Sequence, residues 1–341
     1  MKFFRRHSGR GSYDLFSNYN HFAPGVGGMF GLLGLFLLGG LLGNLVLLAI
    51  QAFLPEIAEK FGMVITYPLM FIPAMLYASA KSRLDENFTP SVPVDSNNFG
   101  RLGGFAMAVI ASVATIAAAY ITDLAGHFMP PMPPAIEQIM KALLDAPLWI
   151  TLLSVSIFAP FFEEWLCRGM ILRGLLGKMK PAAAICISAA FFAIIHFNPW
   201  QAIPAFILGL LFGFVYYRTG SLKLTMLMHC VNNTMAALIS RIPALEEANS
   251  FVDILSPWTY AGLFICSAAF LWATIVVLMG CKLSYLTEDF KIRRSCIKEI
   301  AESSATVNRY GTSATERGKI PHLFASTPVY LPLCTVCRIP S

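Results

Sequence analysis

Three short polar clusters interrupt an otherwise apolar sequence: Phe161-Phe162-Glu163-Glu164-Trp165-Leu166-Cys167-Arg168, then Phe192 followed four positions on by His196, then His229-Cys230-Val231-Asn232-Asn233. Two carboxylates, two imidazoles and carboxamides are the groups that move protons and stabilise developing negative charge. In a membrane span each ionisable group costs about 2.5–3.5 kcal/mol on insertion scales, so it needs a partner or a task.

Helical spacing separates the two glutamates. Glu164 and Arg168 are four apart and share a face, so the guanidinium can neutralise that carboxylate. Glu163 points about 140° away from Arg168 and faces another helix with no partner from its own. Glu163 precedes the turn at Met179 by as many positions as His196 follows Lys180, so an antiparallel hairpin sets the two side chains level. His229 and Asn233, four apart, lie side by side on a third helix. Such a group suits hydrolysis of an unactivated amide: Glu163, with His196, takes a proton from water, and His229 and Asn233 donate to the oxyanion. No Ser or Cys occupies an obvious nucleophile position, although Cys167 and Cys230 are near, and attack by water is the simpler chemistry.

At these positions the sequence resembles the CAAX protease and bacteriocin-processing family of intramembrane endopeptidases, the type II CAAX prenyl endopeptidases among them. Its signature, E-E-x-x-x-R, then F-x-x-x-H, then H-x-x-x-N or H-x-x-x-D, is matched by Glu163-Glu164 with Arg168, Phe192 with His196, and His229 with Asn233. The resemblance covers about residues 150–240. It implies an all-helical membrane fold, a site opening toward the cytosol, and a glutamate-activated water. In the family the positions of Glu163 and His196 are the water-activating pair, and those of His229 and Asn233 stabilise the oxyanion.

Glu163, His196 and His229 would also make an acceptable two-His, one-carboxylate zinc set. No H-E-x-x-H is present, and the metal-free reading, with no cofactor, is favoured.

The elements that must position these residues are membrane helices. Of 341 residues 56% are hydrophobic and 13% charged, against about 25% charged in a soluble domain. A bilayer core of about 30 Å needs about 20 apolar residues of helix, and eight spans are expected: about 28–54, 63–80, 101–122, 147–172, 181–197, 200–217, 222–240 and 257–281. The second, with Pro68 and Pro73, is expected to be kinked or partly re-entrant. The fold class is therefore all-α: a polytopic bundle of about eight transmembrane helices with cytoplasmic termini. A cytoplasmic N-terminus leaves only Lys60, Lys141 and Arg241, of 25 basic residues, on the outer side.

A cytoplasmic segment (1–27) precedes the transmembrane domain (28–281), and a flexible cytoplasmic tail (282–341) follows it. Residues 136–144 repeat apolar positions at helical spacing after Met129-Pro-Pro-Met-Pro-Pro134, giving an interfacial amphipathic helix on the outer side. Gly39 and Gly43 permit close helix packing. Five of the eight cysteines fall in or beside spans, so no disulfide framework follows, and Cys334 and Cys337 form a lone C-x-x-C. The basic group Lys282, Lys291, Arg293 and Arg294 reads as attraction to anionic lipid rather than nucleic acid. The expected partners are membrane lipid and a peptide or protein substrate, and the location is the cell (inner) membrane if the source is bacterial. A non-catalytic scaffold or immunity-type binding protein is the alternative; a proton-coupled transporter lacks the internal repeat it would need.

Overall fold

A computed structural model describes residues 15–89, 91–242 and 250–281. The first 14 residues and the tail from 282, with its basic group, Cys334 and Cys337, lie outside the described residues. Among the described residues nine helices follow one another: α1 Val26–Phe53, α2 Pro55–Asp85, α3 Gly103–His127, α4 Pro134–Asp145, α5 Leu148–Leu176, α6 Pro181–Ile194, α7 Pro199–Thr219, α8 Leu222–Ile239 and α9 Pro257–Met279. Among the described residues there is no strand.

Six of these helices, α1, α2, α3, α5, α7 and α9, are long and apolar enough to cross a membrane. The other two expected spans fall short for different reasons. α6 stops at Ile194 after 14 residues, about 21 Å of helix. α8 has 18 residues but includes Lys223, His229, Asn232 and Asn233, which dilute its apolar character. α2 runs unbroken through Pro68 and Pro73 for 31 residues, so the expected short or re-entrant span is a full-length helix, joined to α1 at Leu54.

The G-x-x-x-G of α1 is spent within the chain. A Cβ on Gly39 would stand 2.2 Å from the Met70 carbonyl oxygen, and one on Gly43 3.4 Å from that of Thr66. At Gly39 the two backbones of the α1–α2 hairpin approach where a side chain cannot fit, while at Gly43 a methyl would make ordinary contact. α5 is the most enclosed of the six long helices. It is regular only at Leu148–Thr151, Ala159–Glu164 and Arg173–Leu176; between them Leu152–Phe158 and Trp165–Leu172 are wound as wide π turns, a local form found frequently at functional sites.

Arg173 closes one end of the bundle. Fully buried, it donates to the carbonyls of Gly169, Asn20, Val92, Tyr19 and Phe22, tying residues 19–22 and the α2–α3 connection to α5. At the same end Gly220, at φ +66°, lets the chain reverse after α7. Asp95 then accepts from the Leu222 and Lys223 amides, at 2.8 and 3.2 Å, and caps α8. At the other end of α8 Arg241 donates to Ala146 O at 2.6 Å and Thr151 Oγ1 at 3.1 Å. α8 is thus pinned at both ends, which sets the height of His229. Cys167, Cys186, Cys230, Cys266 and Cys281 are all free.

Candidate active site

Glu164 and Arg168 form the ion pair their spacing predicts, 2.7 Å apart and with neither side chain exposed. The wide turn that begins at Trp165 still brings them together, and Arg168 Nη2 also donates to Gly209 O on α7, at 3.1 Å. The guanidinium carbon lies 4.5 Å from the Phe192 ring centre and 5.4 Å from that of Phe212. Two aromatic faces thus accompany a charge that has no water.

Glu163 points elsewhere, as its spacing predicts, and is 8% exposed. It is not without a partner, however: the Tyr67 hydroxyl of α2 donates to its Oε1. Among the described residues its buried Oε2 has no hydrogen-bond partner, and His229 Nε2 lies 3.9 Å from it. The His229 ring bridges the two glutamates, since its Nδ1 donates to Glu164 Oε1 at 3.1 Å.

The remaining sequence-derived residues stand around this centre. Asn233 Nδ2 donates to Val155 O in the first wide stretch of α5, at 2.7 Å, and Asn233 Oδ1 accepts from Asn232 Nδ2 at 3.1 Å. His196 is not on a helix but in the turn after α6, where its Nδ1 donates to Phe192 O at 2.7 Å. The next residue, Phe197, has φ +51°, a left-handed conformation uncommon for a bulky residue and a kind of strain that clusters at active sites. Among the described residues no hydrogen bond joins His196 to Glu163. Phe192 instead lies between the two histidines, its ring edge-on to His196 and His229 at 5.0 and 5.4 Å.

Among the described residues no three His, Cys, Asp or Glu side chains are placed to hold a metal ion. Nδ1 of His196 and of His229 is hydrogen-bonded to an oxygen, which orients each ring through one nitrogen.

A cavity of about 1030 Å³ reaches His196, His229, Asn232 and Asn233. Its walls come from the second half of α3, the Met129–Met132 connection, the first half of α7, the second half of α8 and Leu263 of α9; most are apolar, including Ile116, Met140, Leu208 and Met235. Trp200 Nε1 donates to Pro130 O at 2.8 Å, fastening that connection beside the cavity.

One contribution went unseen in the sequence. Tyr67 lies 96 positions from Glu163, and no spacing rule spans that distance; the only hint was a hydroxyl in an apolar stretch beside Pro68. Phe192, singled out with His196 in the sequence, also touches Arg168 and His229.

No curated protein and no solved structure matches the chain. Residues 145–235 match the family model described as type II CAAX prenyl endopeptidase Rce1-like. That stretch holds α5, α6, α7 and most of α8, and with them all three motifs; α1 to α3 and α9 lie outside it. The chain is a multi-pass membrane protein, and its motif-bearing core is similar to the Rce1-like type II CAAX prenyl endopeptidases.

Proposed function

We propose that the protein is an intramembrane endopeptidase that hydrolyses a peptide bond in a membrane-associated or lipidated peptide, with water activated by Glu163. The observation that carries this reading is the buried, unpartnered Glu163 Oε2 facing His229 Nε2 at 3.9 Å. A water held there can lose its proton to Oε2 as its oxygen attacks the peptide carbonyl carbon. The proton then passes from Glu163 to the leaving amine as the C–N bond breaks.

The surrounding groups have separable tasks. Glu164, neutralised by Arg168, accepts from His229 Nδ1 and so orients the imidazole. Asn233 can exchange Val155 O for the substrate oxyanion, a donor of a kind typically worth about 10²–10³ in rate. His196, with Nδ1 committed to Phe192 O, keeps Nε2 as an acceptor for water or for a substrate amide. No step uses a metal. The apolar cavity beside these groups suits a substrate delivered with an apolar segment or chain.

The test is cleavage of a membrane-peptide library by purified protein, wild type against Glu163→Gln, with and without a strong zinc chelator. Cleavage that survives chelation and disappears in the variant is the expected result. Cleavage by Glu163→Gln at the wild-type rate would sink the glutamate mechanism, and no cleavage by the wild-type protein would favour the binding-scaffold reading.

A further inference from the structure

We infer that Tyr67 is a positioning residue for Glu163, supplied by a helix outside the stretch that matches the family model; the inference rests on Glu163 acting as the base. The Tyr67 hydroxyl donates to Oε1 alone, and among the described residues Oε2 makes no hydrogen bond. One oxygen of the carboxylate is therefore held while the other is presented. Without that bond the carboxylate could rotate about its terminal torsion, which is broad and roughly two-fold, and turn either oxygen toward His229.

The phenol is itself held in place. Its ring packs on Phe71, with centres 5.7 Å apart, and Phe71 stacks on Phe162, the neighbour of Glu163, at 5.2 Å and 18° between planes. Phe36 of α1 closes on Phe71 from the other side, at 5.1 Å. This aromatic row joins the α1–α2 hairpin to α5 at the height of Glu163. The groups facing Glu163 are thus Tyr67 from α2 and His229 from α8, with Glu164 and Arg168 paired behind them on α5. Tyr67 is the one of these whose loss leaves the ion pair and the imidazole in place.

The substitution Tyr67→Phe keeps the ring row and removes only the hydroxyl. On a library peptide cleaved by wild-type protein, its kcat is expected to fall by about 10- to 100-fold, the range for a buried hydrogen bond to a charged group. KM and the melting temperature in detergent should stay near the wild-type values. A residue serving only to pack would leave Tyr67→Phe fully active. Replacing Tyr67 with 3,5-difluorotyrosine nearly preserves shape and strengthens the donor; it is expected to change kcat severalfold at constant KM, and it decides the matter if Tyr67→Phe does not fold. Wild-type kcat in both variants, with Glu163→Gln inactive, overturns the role of Tyr67 and leaves the glutamate mechanism standing. Activity in Glu163→Gln overturns both.

Discussion

Arg168 and Glu164 are joined by a 2.7 Å ion pair with neither side chain exposed to solvent. Removing one partner strands the other charge, so Arg168→Met is expected to destabilise the protein by about 3–5 kcal/mol. The double variant Arg168→Met with Glu164→Gln should recover much of that loss, because neither charge of the pair is left stranded. Thermal unfolding of the four proteins in detergent measures the coupling; additive losses would mean that the pair is not isolated from water.

Asn233 tests the other side of the site. Asn233→Ala leaves Glu163, His229 and Tyr67 intact and removes one donor, so kcat should fall by about 10²-fold with little change in KM. Steady-state kinetics on a cleaved library peptide checks this. A rise in KM at constant kcat would assign Asn233 to substrate binding instead.

The α1–α2 contact is specific to one glycine. Gly39→Ala sets a methyl against the Met70 carbonyl and is expected to destabilise by about 1–3 kcal/mol. A Cβ on neighbouring Gly40 meets nothing within 4 Å, so Gly40→Ala should be neutral or slightly stabilising, as a helical Gly-to-Ala change usually is. Melting temperatures of the pair decide it.

Sidedness can be tested at the two ends of the bundle. Lys178 lies beside Gly25, and Lys223 pairs with Asp95, at the end that Arg173 closes. The cavity is walled by the opposite ends of α3 and α8, where Arg241 and Lys141 also lie. If the basic end is cytoplasmic, a cysteine at Phe128, in a background without native cysteines, should react with an impermeant thiol reagent added outside intact cells. One at Lys178 should react only after permeabilisation. The reverse pattern would put the cavity on the cytosolic side, as the family resemblance implies.

What the sequence made legible was what helical periodicity carries. Glu164 and Arg168 met because they are four apart, and Glu163 was set apart from them because it is not. His229 and Asn233 do share a helix, but each found a different partner on α5, since the wide turns of that helix offer Val155 O at one height and the glutamates at another. Hydropathy located the helices and overstated α6, because Ile195 and Phe197 flank His196 in the turn and carry the apolar run past the end of the helix. The Tyr67 contact depends on how two distant helices pack, and no local pattern encodes that.

The Arg173 knot also sets an order of events during synthesis. The carbonyl of Phe22 must wait for a guanidinium made 151 positions later, about 8–30 s at ordinary translation rates. Until then residues 19–22 have only donors made earlier, among them the Val92 amide on Asn20 O and the Thr89 hydroxyl on His21 O, so this segment can dock on the α2–α3 connection before α5 arrives to lock it. The last step in closing that end of the bundle therefore belongs to a residue made well after both of the segments it ties together.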